Sequence, residues 1–95
     1  MAELDAHLLP PARLKLMTML TAVSEAEFAT ARDALEVSDS VLSKHIGALE
    51  DPGYVRRRKG THQGRRTTWV ALTSRGRAAL SAHVAALREL IDGIE

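Results

Sequence analysis

Cysteine is absent from this 95-residue chain, and aromatic residues make up only 3% of it. Without cysteine the chain can form no disulfide, thiolate metal site or cysteine nucleophile, which favours a cytosolic setting. With so few aromatic residues, the core must consist mostly of Leu, Ala, Val and Ile side chains. No apolar run approaches the ~20 residues that span a bilayer, and the acidic start MAELDAH lacks the basic and apolar regions of a signal peptide. We therefore predict a small cytoplasmic domain, for which self-association is a common source of stability.

Acidic residues are absent from one long block of the chain. Residues 52–88 contain nine Arg or Lys and no acid, whereas residues 1–51 contain four Arg or Lys and nine acids and residues 89–95 contain three acids, so the net charge is only +1. A block of one sign creates a local positive field, whose commonest partner is a phosphate backbone. A solvated charged face is the alternative. Because Gly60 and Gly64 divide the charges in a hairpin-like pattern, we favour nucleic acid as the partner.

Patterns typical of catalysis or metal binding are also missing. The sequence has no glycine-rich phosphate loop, and no nucleophile with a nearby base. His7, His62 and His83 are widely spaced, and we expect His45 to make a structural hydrogen bond and Trp69 to pack at the edge of the hairpin. We predict that the protein is not an enzyme and that it holds no metal or cofactor.

Helical periodicity predicts two short helices in the first part of the chain. The segment PARLKLMTMLTAV (11–23) places Leu16, Met17 and Leu20 on one face, and its first proline suits a first helical turn. In SEAEFATARDALEV, Thr30 is placed to cap a second helix, and Phe28 before it suits a short extended segment.

A third helix is predicted directly afterwards. Ser38 is placed to cap it, and Leu42, Ile46 and Leu49 recur at spacings of four and three. The helix is expected to end at Pro52–Gly53. A tight link around residues 36–38 separates it from the second helix.

The block that follows reads as a β-hairpin and a last helix. The hairpin consists of YVRRRK, a turn GTHQG, and RRTTWVAL. Thr73 is then placed to cap a helix whose apolar residues follow the a/d spacing of helices that pair with another helix. We predict that this seam forms a dimer interface, and its members are Leu80, Val84, Leu87, Ile91 and Ile94.

The order of these elements strongly resembles that of the winged helix-turn-helix transcriptional regulators, particularly a small one-domain group related to the MarR and ArsR families. The resemblance extends from about residue 13 to 80. It depends on S-x-x-x-x-S-K-H in the third helix, G-Y-V at the start of the hairpin and L-T-x-x-G-R at its end. It implies an α+β, mainly helical fold with three helices and a β-hairpin wing (11–72), and a long C-terminal dimerisation helix (73–95), in a single domain (1–95).

DNA recognition by such a fold depends on the third helix, because the major groove admits an α-helix and presents base edges to its side chains. We expect Ser40, Val41 and Lys44 to contact bases, and Ser38 and Ser43 to contact phosphate oxygens. Gly47 allows either a close approach of DNA or packing against a neighbouring helix.

The wing supplies the remaining predicted contacts. Cationic side chains of the two strands suit phosphates, and the tip suits the minor groove. We expect Arg57 to point away from DNA, and one or two wing arginines to pair with acids from the first half of the chain. The predicted contacts are Arg56, Arg58, Lys59, Arg65 and Arg66, with His62 and Gln63 at the tip.

The resulting hypothesis is a homodimeric, sequence-specific regulator that binds double-stranded DNA at a pseudo-palindromic operator, acts as a repressor and resides in the cytoplasm at the nucleoid. A winged-helix module that binds protein, and a non-specific nucleic-acid-binding protein, are the alternatives. The acid-free block disfavours the first, and competition with unrelated DNA would separate the second. The resemblance also leaves room for a small-molecule effector of unknown identity.

Overall fold

Four helices and a three-stranded antiparallel sheet make up the protein in a computed structural model that describes residues 3–94. Met1, Ala2 and Glu95, which belong to the predicted domain range of 1–95, lie outside the described residues. The predicted architecture of three helices, a hairpin wing and a long last helix is confirmed. The elements are a short 3₁₀ turn (Ala6–Leu8), α1 (Pro11–Leu20), β1 (Ala26–Glu27), α2 (Phe28–Leu35), α3 (Asp39–Glu50), β2 (Val55–His62), β3 (Arg65–Leu72) and α4 (Ser74–Asp92).

The core is aliphatic, as the shortage of aromatic residues requires. The apolar faces predicted for α1 and α3 are fully buried, and Val70 and Leu72 of β3 and Leu8 of the 3₁₀ turn pack with them. These faces were predicted from spacing alone because helical periodicity brings residues three and four apart onto one side. The buried members of the two helices are Leu16, Met17, Leu20, Leu42, Ile46 and Leu49.

Two of the three predicted helix caps are confirmed. The Ser38 hydroxyl accepts a hydrogen bond from the Val41 amide, and the Thr73 hydroxyl accepts one from the Gly76 amide. The prediction for Thr30 is wrong, because α2 begins at Phe28 and Glu27 precedes it without a side-chain cap. The extended segment expected at Phe28 lies instead at Ala26–Glu27, where pairing with β3 fixes the start of α2 from outside its own sequence.

Helix α1 is shorter than predicted and ends at Leu20 rather than at residue 23. The turn between α2 and α3 is as tight as expected, since Glu36 adopts a left-handed conformation with φ of 54°. This conformation is unfavourable for a residue with a side chain, but it lets α3 begin three residues later at a sharp angle.

The wing turn is also shorter than predicted. Residues 60–62 belong to β2, and only Gln63 and Gly64 connect the strands. Both have positive φ, 52° and 79°, as a two-residue type I′ hairpin turn requires. The prediction of a five-residue turn was wrong because it treated Gly60 as a turn residue. Gly60 instead pairs with Thr67, and Trp69 packs over it.

The start of α4 is fastened to the base of the wing. The Thr73 hydroxyl donates to the Gly53 carbonyl, and the Thr73 amide donates to the Tyr54 carbonyl at 3.0 Å. Gly76 permits this approach, because a Cβ there would lie 2.1 Å from the Tyr54 oxygen. The L-T-x-x-G-R motif therefore ends the wing and starts α4 at a fixed angle.

Candidate nucleic-acid interface

The outer face of α3 displays most of the residues that were predicted to meet DNA. Ser38, Ser40, Val41 and Lys44 are exposed, while Ser43 is half-buried. Val41 is unusual among them, because it is an apolar side chain that is 40% exposed at the start of a helix. An exposed methyl-bearing side chain beside hydroxyl and ammonium groups suits the mixed surface of a major groove.

The acid at the start of α3 is neutralised by the preceding helix. Nη1 of Arg32 lies 3.0 Å from Oδ1 of Asp39, and Nε of the same arginine donates to Asp33 at 2.9 Å. The hydrogen bonds to these two carboxylates raise the pKa of Arg32. A free carboxylate at this place would repel phosphate, whereas one held by Arg32 does so less.

The two faces of the wing have different surroundings. In the register of β2 and β3, Arg57 lies opposite the buried Val70 and faces the body, whereas Arg58 lies opposite Trp69 on the other face. The strand alternation that sets Arg57 on the opposite face from Arg56 and Arg58 is confirmed, and its orientation relative to DNA stays a prediction. Nε and Nη2 of Arg57 donate to the carboxylate of Glu50, at the end of α3, at 3.0 and 2.6 Å, and this contact raises the pKa of Arg57.

A second wing arginine is also paired. Nε of Arg58 donates to Glu25 at 3.3 Å and Nη2 at 2.5 Å, and the hydrogen bond from Arg58 lowers the pKa of Glu25. The expected pairing of one or two arginines with the acidic first half is thus observed. Arg58 was predicted to contact phosphate, but in the structure Glu25 occupies its guanidinium. Sequence spacing carries no signal for this partner, since Glu25 lies 33 residues away.

Trp69 stiffens the outer face of the wing. Its ring lies under the Arg58 guanidinium, 5.9 Å from the ring centroid, and meets the His62 ring edge-on at 5.6 Å. A Cβ on Gly60 would approach the indole to 3.1 Å, so only glycine leaves the ring this close to β2. The predicted packing role of Trp69 fits this arrangement, and His62 is held beside the turn.

The remaining wing cations have no acidic partner. Within residues 3–94, no carboxylate lies at ion-pairing distance from any of them, and all four are exposed. By strand alternation, Arg56 and Arg65 share the outer face with Arg58, whereas Lys59 and Arg66 share the other face with Arg57, so these cations lie on both faces of the hairpin. The four residues, which we call the wing surface, are Arg56, Lys59, Arg65 and Arg66.

The predicted seam of α4 divides into a buried and an exposed part. Leu80 is 8% exposed and belongs to the core, and Val84 packs against that core. Leu87 is half-buried, whereas Ile91 and Ile94 are 59% and 80% exposed. The predicted seam therefore includes residues that pack in the core of the protomer. An apolar stripe on a helix does not distinguish residues that face the protomer's own core from residues that would contact a partner.

Further exposed apolar side chains, which the spacing argument missed, lie on α4 and in the N-terminal segment. Leu90 is 57% exposed beside Ile91, and Leu4 and Leu9 flank the 3₁₀ turn. This turn is tied to α4, because the Asp5 amide donates to Nδ1 of the buried His83 at 2.8 Å. Both segments joined by the contact between Asp5 and His83, the N-terminal segment and α4, thus carry exposed apolar side chains.

Within residues 3–94, no group of three or more His, Asp or Glu side chains is placed to hold a metal ion. In the same part of the chain, no helix is both long and apolar enough to cross a membrane.

Known proteins share this sequence and arrangement. Residues 12–91 match the family model described as a winged helix DNA-binding domain. An uncharacterized protein of Methanocaldococcus jannaschii is 29% identical over 83 residues, which cover 87% of this chain and 90% of that protein.

Solved structures agree with the family match. The transcriptional regulator homologue from Pyrococcus horikoshii OT3 superposes with a TM-score of 0.88 at 28% identity, over 96% of this chain and 90% of that one. A MarR family transcriptional regulator from Silicibacter pomeroyi superposes with a TM-score of 0.70 at 24% identity, over 86% of this chain and 54% of that one. The fold, the open face of α3 and the positive wing fit these likenesses, and the chain belongs to the winged helix DNA-binding domain family of transcriptional regulators.

Proposed function

We propose that the protein is a homodimeric transcriptional repressor that recognises a pseudo-palindromic operator in double-stranded DNA. In this proposal residues 1–95 form one domain, in which residues 11–72 bind DNA and residues 73–95 form the dimerisation helix. The observation that carries it is that Ser40, Val41 and Lys44 of α3 are exposed to solvent in a protein whose wing holds four cations without an acidic partner among residues 3–94. A groove-reading helix next to a phosphate-binding surface supplies both parts of DNA recognition.

Each part of this surface has a separate role in the proposal. Ser40, Val41 and Lys44 read base edges in the major groove, where Lys44 suits guanine and Val41 suits a thymine methyl. Ser38 and Ser43 bind phosphate oxygens, although the Ser38 hydroxyl also caps α3. The wing surface lies along the backbone, with His62 and Gln63 nearest the minor groove. Arg58 joins these contacts by exchanging Glu25 for a phosphate, because exposed salt bridges contribute little to stability.

Dimerisation follows from the exposed apolar end of the molecule. Leu87, Ile91 and Ile94 continue the buried face of α4 beyond the body of the protomer, where no apolar surface of its own chain covers Ile91 and Ile94 among the described residues. A two-fold dimer places the two α3 helices on one face of the duplex, with half-sites centred about 10 bp, or a multiple of it, apart. Occlusion of a promoter is then the simplest mode of regulation for so small a protein.

Two other functions have less support. A protein-binding module has no need for four unpaired cations around its wing. Non-specific nucleic-acid binding leaves the exposed Val41 without a role, because phosphate contacts require no apolar side chain. A small-molecule effector near the dimer interface would be compatible with the fold, and its identity is left open.

Selection of bound fragments from a random duplex pool tests the proposal, followed by affinity measurements on Lys44→Ala. Lys15→Ala is the matched control, because Lys15 is an exposed lysine on α1. We expect a two-fold symmetric sequence to emerge. Lys44→Ala should lose about 1–3 kcal/mol of discrimination between the selected and unrelated duplexes, and Lys15→Ala should lose none.

Two outcomes would contradict the proposal, and a third would change the role assigned to Lys44. Failure of the pool to converge on any sequence would favour non-specific binding. Absence of DNA binding at low salt would favour the protein-interaction module. Equal losses on both duplexes would assign Lys44 to a phosphate contact instead of a base contact.

A further inference from the structure

A polar contact joins α1, which is part of neither the helix-turn-helix nor the wing, to the flank of α3. Nε of Arg13 donates to Nδ1 of His45 at 3.1 Å, across 32 residues of sequence. Both side chains are half-buried. The sequence indicated a structural hydrogen bond for His45, but it indicated neither the partner nor the groups that this contact leaves free.

The contact determines which ring nitrogen of His45 carries the proton. Because Nδ1 accepts the Arg13 hydrogen, a neutral ring carries its proton on Nε2. Burial, with a further contribution from the positive charge of Arg13, lowers the pKa of His45 and keeps the ring neutral at physiological pH. His45 therefore offers one N–H donor, on the ring atom that does not face Arg13.

Arg13 also keeps free donors. Within residues 3–94, no carboxylate pairs with its guanidinium, and its terminal nitrogens make no hydrogen bond. These nitrogens are not enclosed in the protein, because the indole nitrogen of Trp69 is the only buried side-chain nitrogen or oxygen without a partner among the described residues. An unpaired cation that is oriented by a neighbouring ring is preorganised to bind an anion.

The position of the pair indicates which anion. His45 directly follows Lys44 and lies one turn after Val41, so it borders the exposed face of α3 on the side of α1. The wing contacts the other end of α3, where Arg57 of β2 donates to Glu50. A helix in the major groove has a phosphate backbone on each side, and cations from the wing alone would leave one backbone without a charged contact.

We propose that Arg13 and His45 together bind one backbone phosphate of the duplex, on the α1 side of the groove-reading helix. Arg13 supplies the charge through its terminal nitrogens, and His45 supplies a neutral donor from Nε2. This inference rests on the proposed DNA binding and adds α1 to the interface. It assigns a phosphate-binding role to Arg13 of α1 and to His45 of α3, neither of which the sequence predicted to contact DNA.

Salt dependence distinguishes this role from a structural brace. Neutralisation of one phosphate by a cation changes the slope of log affinity against log salt by roughly 0.9, so Arg13→Ala should flatten the slope by about 0.9 per bound protomer. Lys15→Ala, which removes a charge of the same sign from the same helix, should leave the slope unchanged. Thermal unfolding of each variant shows that the compared proteins are folded.

Two substitutions of His45 test its part. His45→Gln retains an N–H donor near the position of Nε2, whereas His45→Phe retains the ring shape without a donor. We expect His45→Phe to weaken binding by at least about tenfold, as the loss of a hydrogen bond to a charged group does, at an unchanged salt slope because a neutral donor displaces no counterion. His45→Gln should bind within a few-fold of the parent.

The outcomes separate this inference from the proposed function. If the parent protein binds no DNA, the proposed function fails. If the parent binds DNA but Arg13→Ala lowers only the unfolding temperature and leaves the salt slope unchanged, the pair is a structural brace and the inference is overturned. Equal flattening by Arg13→Ala and Lys15→Ala would overturn it too, because net charge alone would then explain the effect.

Discussion

Gly76 and Gly47 occupy helices in opposite kinds of surroundings. A Cβ on Gly76 would lie 2.1 Å from the Tyr54 carbonyl oxygen, whereas a Cβ on Gly47 would meet no atom within 4 Å. Packing against a neighbouring helix, one of the two explanations for Gly47 that the sequence left open, therefore finds no support in the protomer. A close approach of DNA to α3 is the explanation that remains.

Alanine substitutions make this difference measurable. Gly76→Ala should destabilise the fold by roughly 2–3 kcal/mol, because backbone must move to admit the methyl group, and should lower the melting temperature by about 10 °C or more. Gly47→Ala should stabilise α3 by about 0.5–1 kcal/mol. Thermal unfolding measures both effects. A more stable Gly47→Ala variant that binds DNA less well would support contact at this surface, and a destabilised one would contradict the open surroundings of Gly47.

The elements show which features local sequence can predict. The buried faces of α1 and α3, the caps at Ser38 and Thr73, and the helix end at Pro52–Gly53 were predicted correctly because each depends on residues within one or two turns. The predicted start of α2 was wrong because the true start depends on the pairing of β1 with β3, more than 40 residues away. The predicted length of the wing turn was wrong because the role of Gly60 depends on Trp69, from the opposite strand.

The same limit applies to the candidate site. Composition and periodicity located the positive wing and the open face of α3, since charge and exposure follow from residue type and spacing. The partners of Arg57 and Arg58 required the folded chain, because Glu50 and Glu25 reach them only through packing. The Arg13–His45 contact between α1 and α3 has the same origin.

The pairing of Arg58 with Glu25 in the wing leads to a testable prediction. Glu25→Gln removes the carboxylate that holds Arg58 on the outer face, and should tighten DNA binding and steepen the salt slope by up to about 0.9 per protomer. Glu50→Gln is the matched control, because it removes the same charge from the partner of Arg57 on the inner face and should leave the slope nearly unchanged. Fluorescence titrations at several salt concentrations give both slopes. Identical effects of the two substitutions would show that Arg58 does not exchange Glu25 for a phosphate.

Across the whole molecule, the N-terminal segment connects the base of the wing to α4. The Asp5 carboxylate accepts hydrogen bonds from the Tyr54 hydroxyl, at the start of the wing, and from the amide of His7, while the Asp5 amide binds His83 on α4. Burial alone would raise the pKa of Asp5, but the hydrogen bonds from Tyr54 and His7 outweigh it and lower the pKa. The ionised carboxylate thus holds Tyr54 at the base of the wing, while the backbone amide of the same residue holds α4.

Acid should loosen this connection. Because the folded state lowers the pKa of Asp5, its contribution to stability is complete above the ordinary aspartate pKa and disappears as the pH falls through the lowered value. Parent and Asp5→Asn should therefore differ in unfolding midpoint at neutral pH and converge as the pH falls below the ordinary pKa of aspartate. Glu3→Gln, at an exposed neighbouring position, should differ from the parent by a constant, small amount. A gap between parent and Asp5→Asn that persists at low pH would contradict this role of the carboxylate.

The wing and the end of α4 differ in chemistry, because the wing carries cations without an acidic partner among the described residues and the end of α4 carries exposed apolar side chains. Ile91 gives the sharpest test of dimerisation, because it is 59% exposed in the protomer. A charge there costs the folded protomer little, but it is expensive once buried without a partner in an interface. Leu87 is less suitable, since it already packs partly against its own chain.

Ile91→Asp should therefore give a folded monomer by sedimentation, with a melting temperature that no longer rises with protein concentration. Ala82→Asp is the control, because nine residues at 3.6 per turn place Ala82 on the opposite side of α4, where it is also exposed. The control should remain a dimer. Since a dimer joins two half-sites on one duplex, Ile91→Asp should also lose most of its affinity for a two-half-site operator while a single half-site is bound as before. An unchanged dimer in Ile91→Asp would place the interface elsewhere, with the exposed Leu4 and Leu9 of the N-terminal segment as the next residues to substitute.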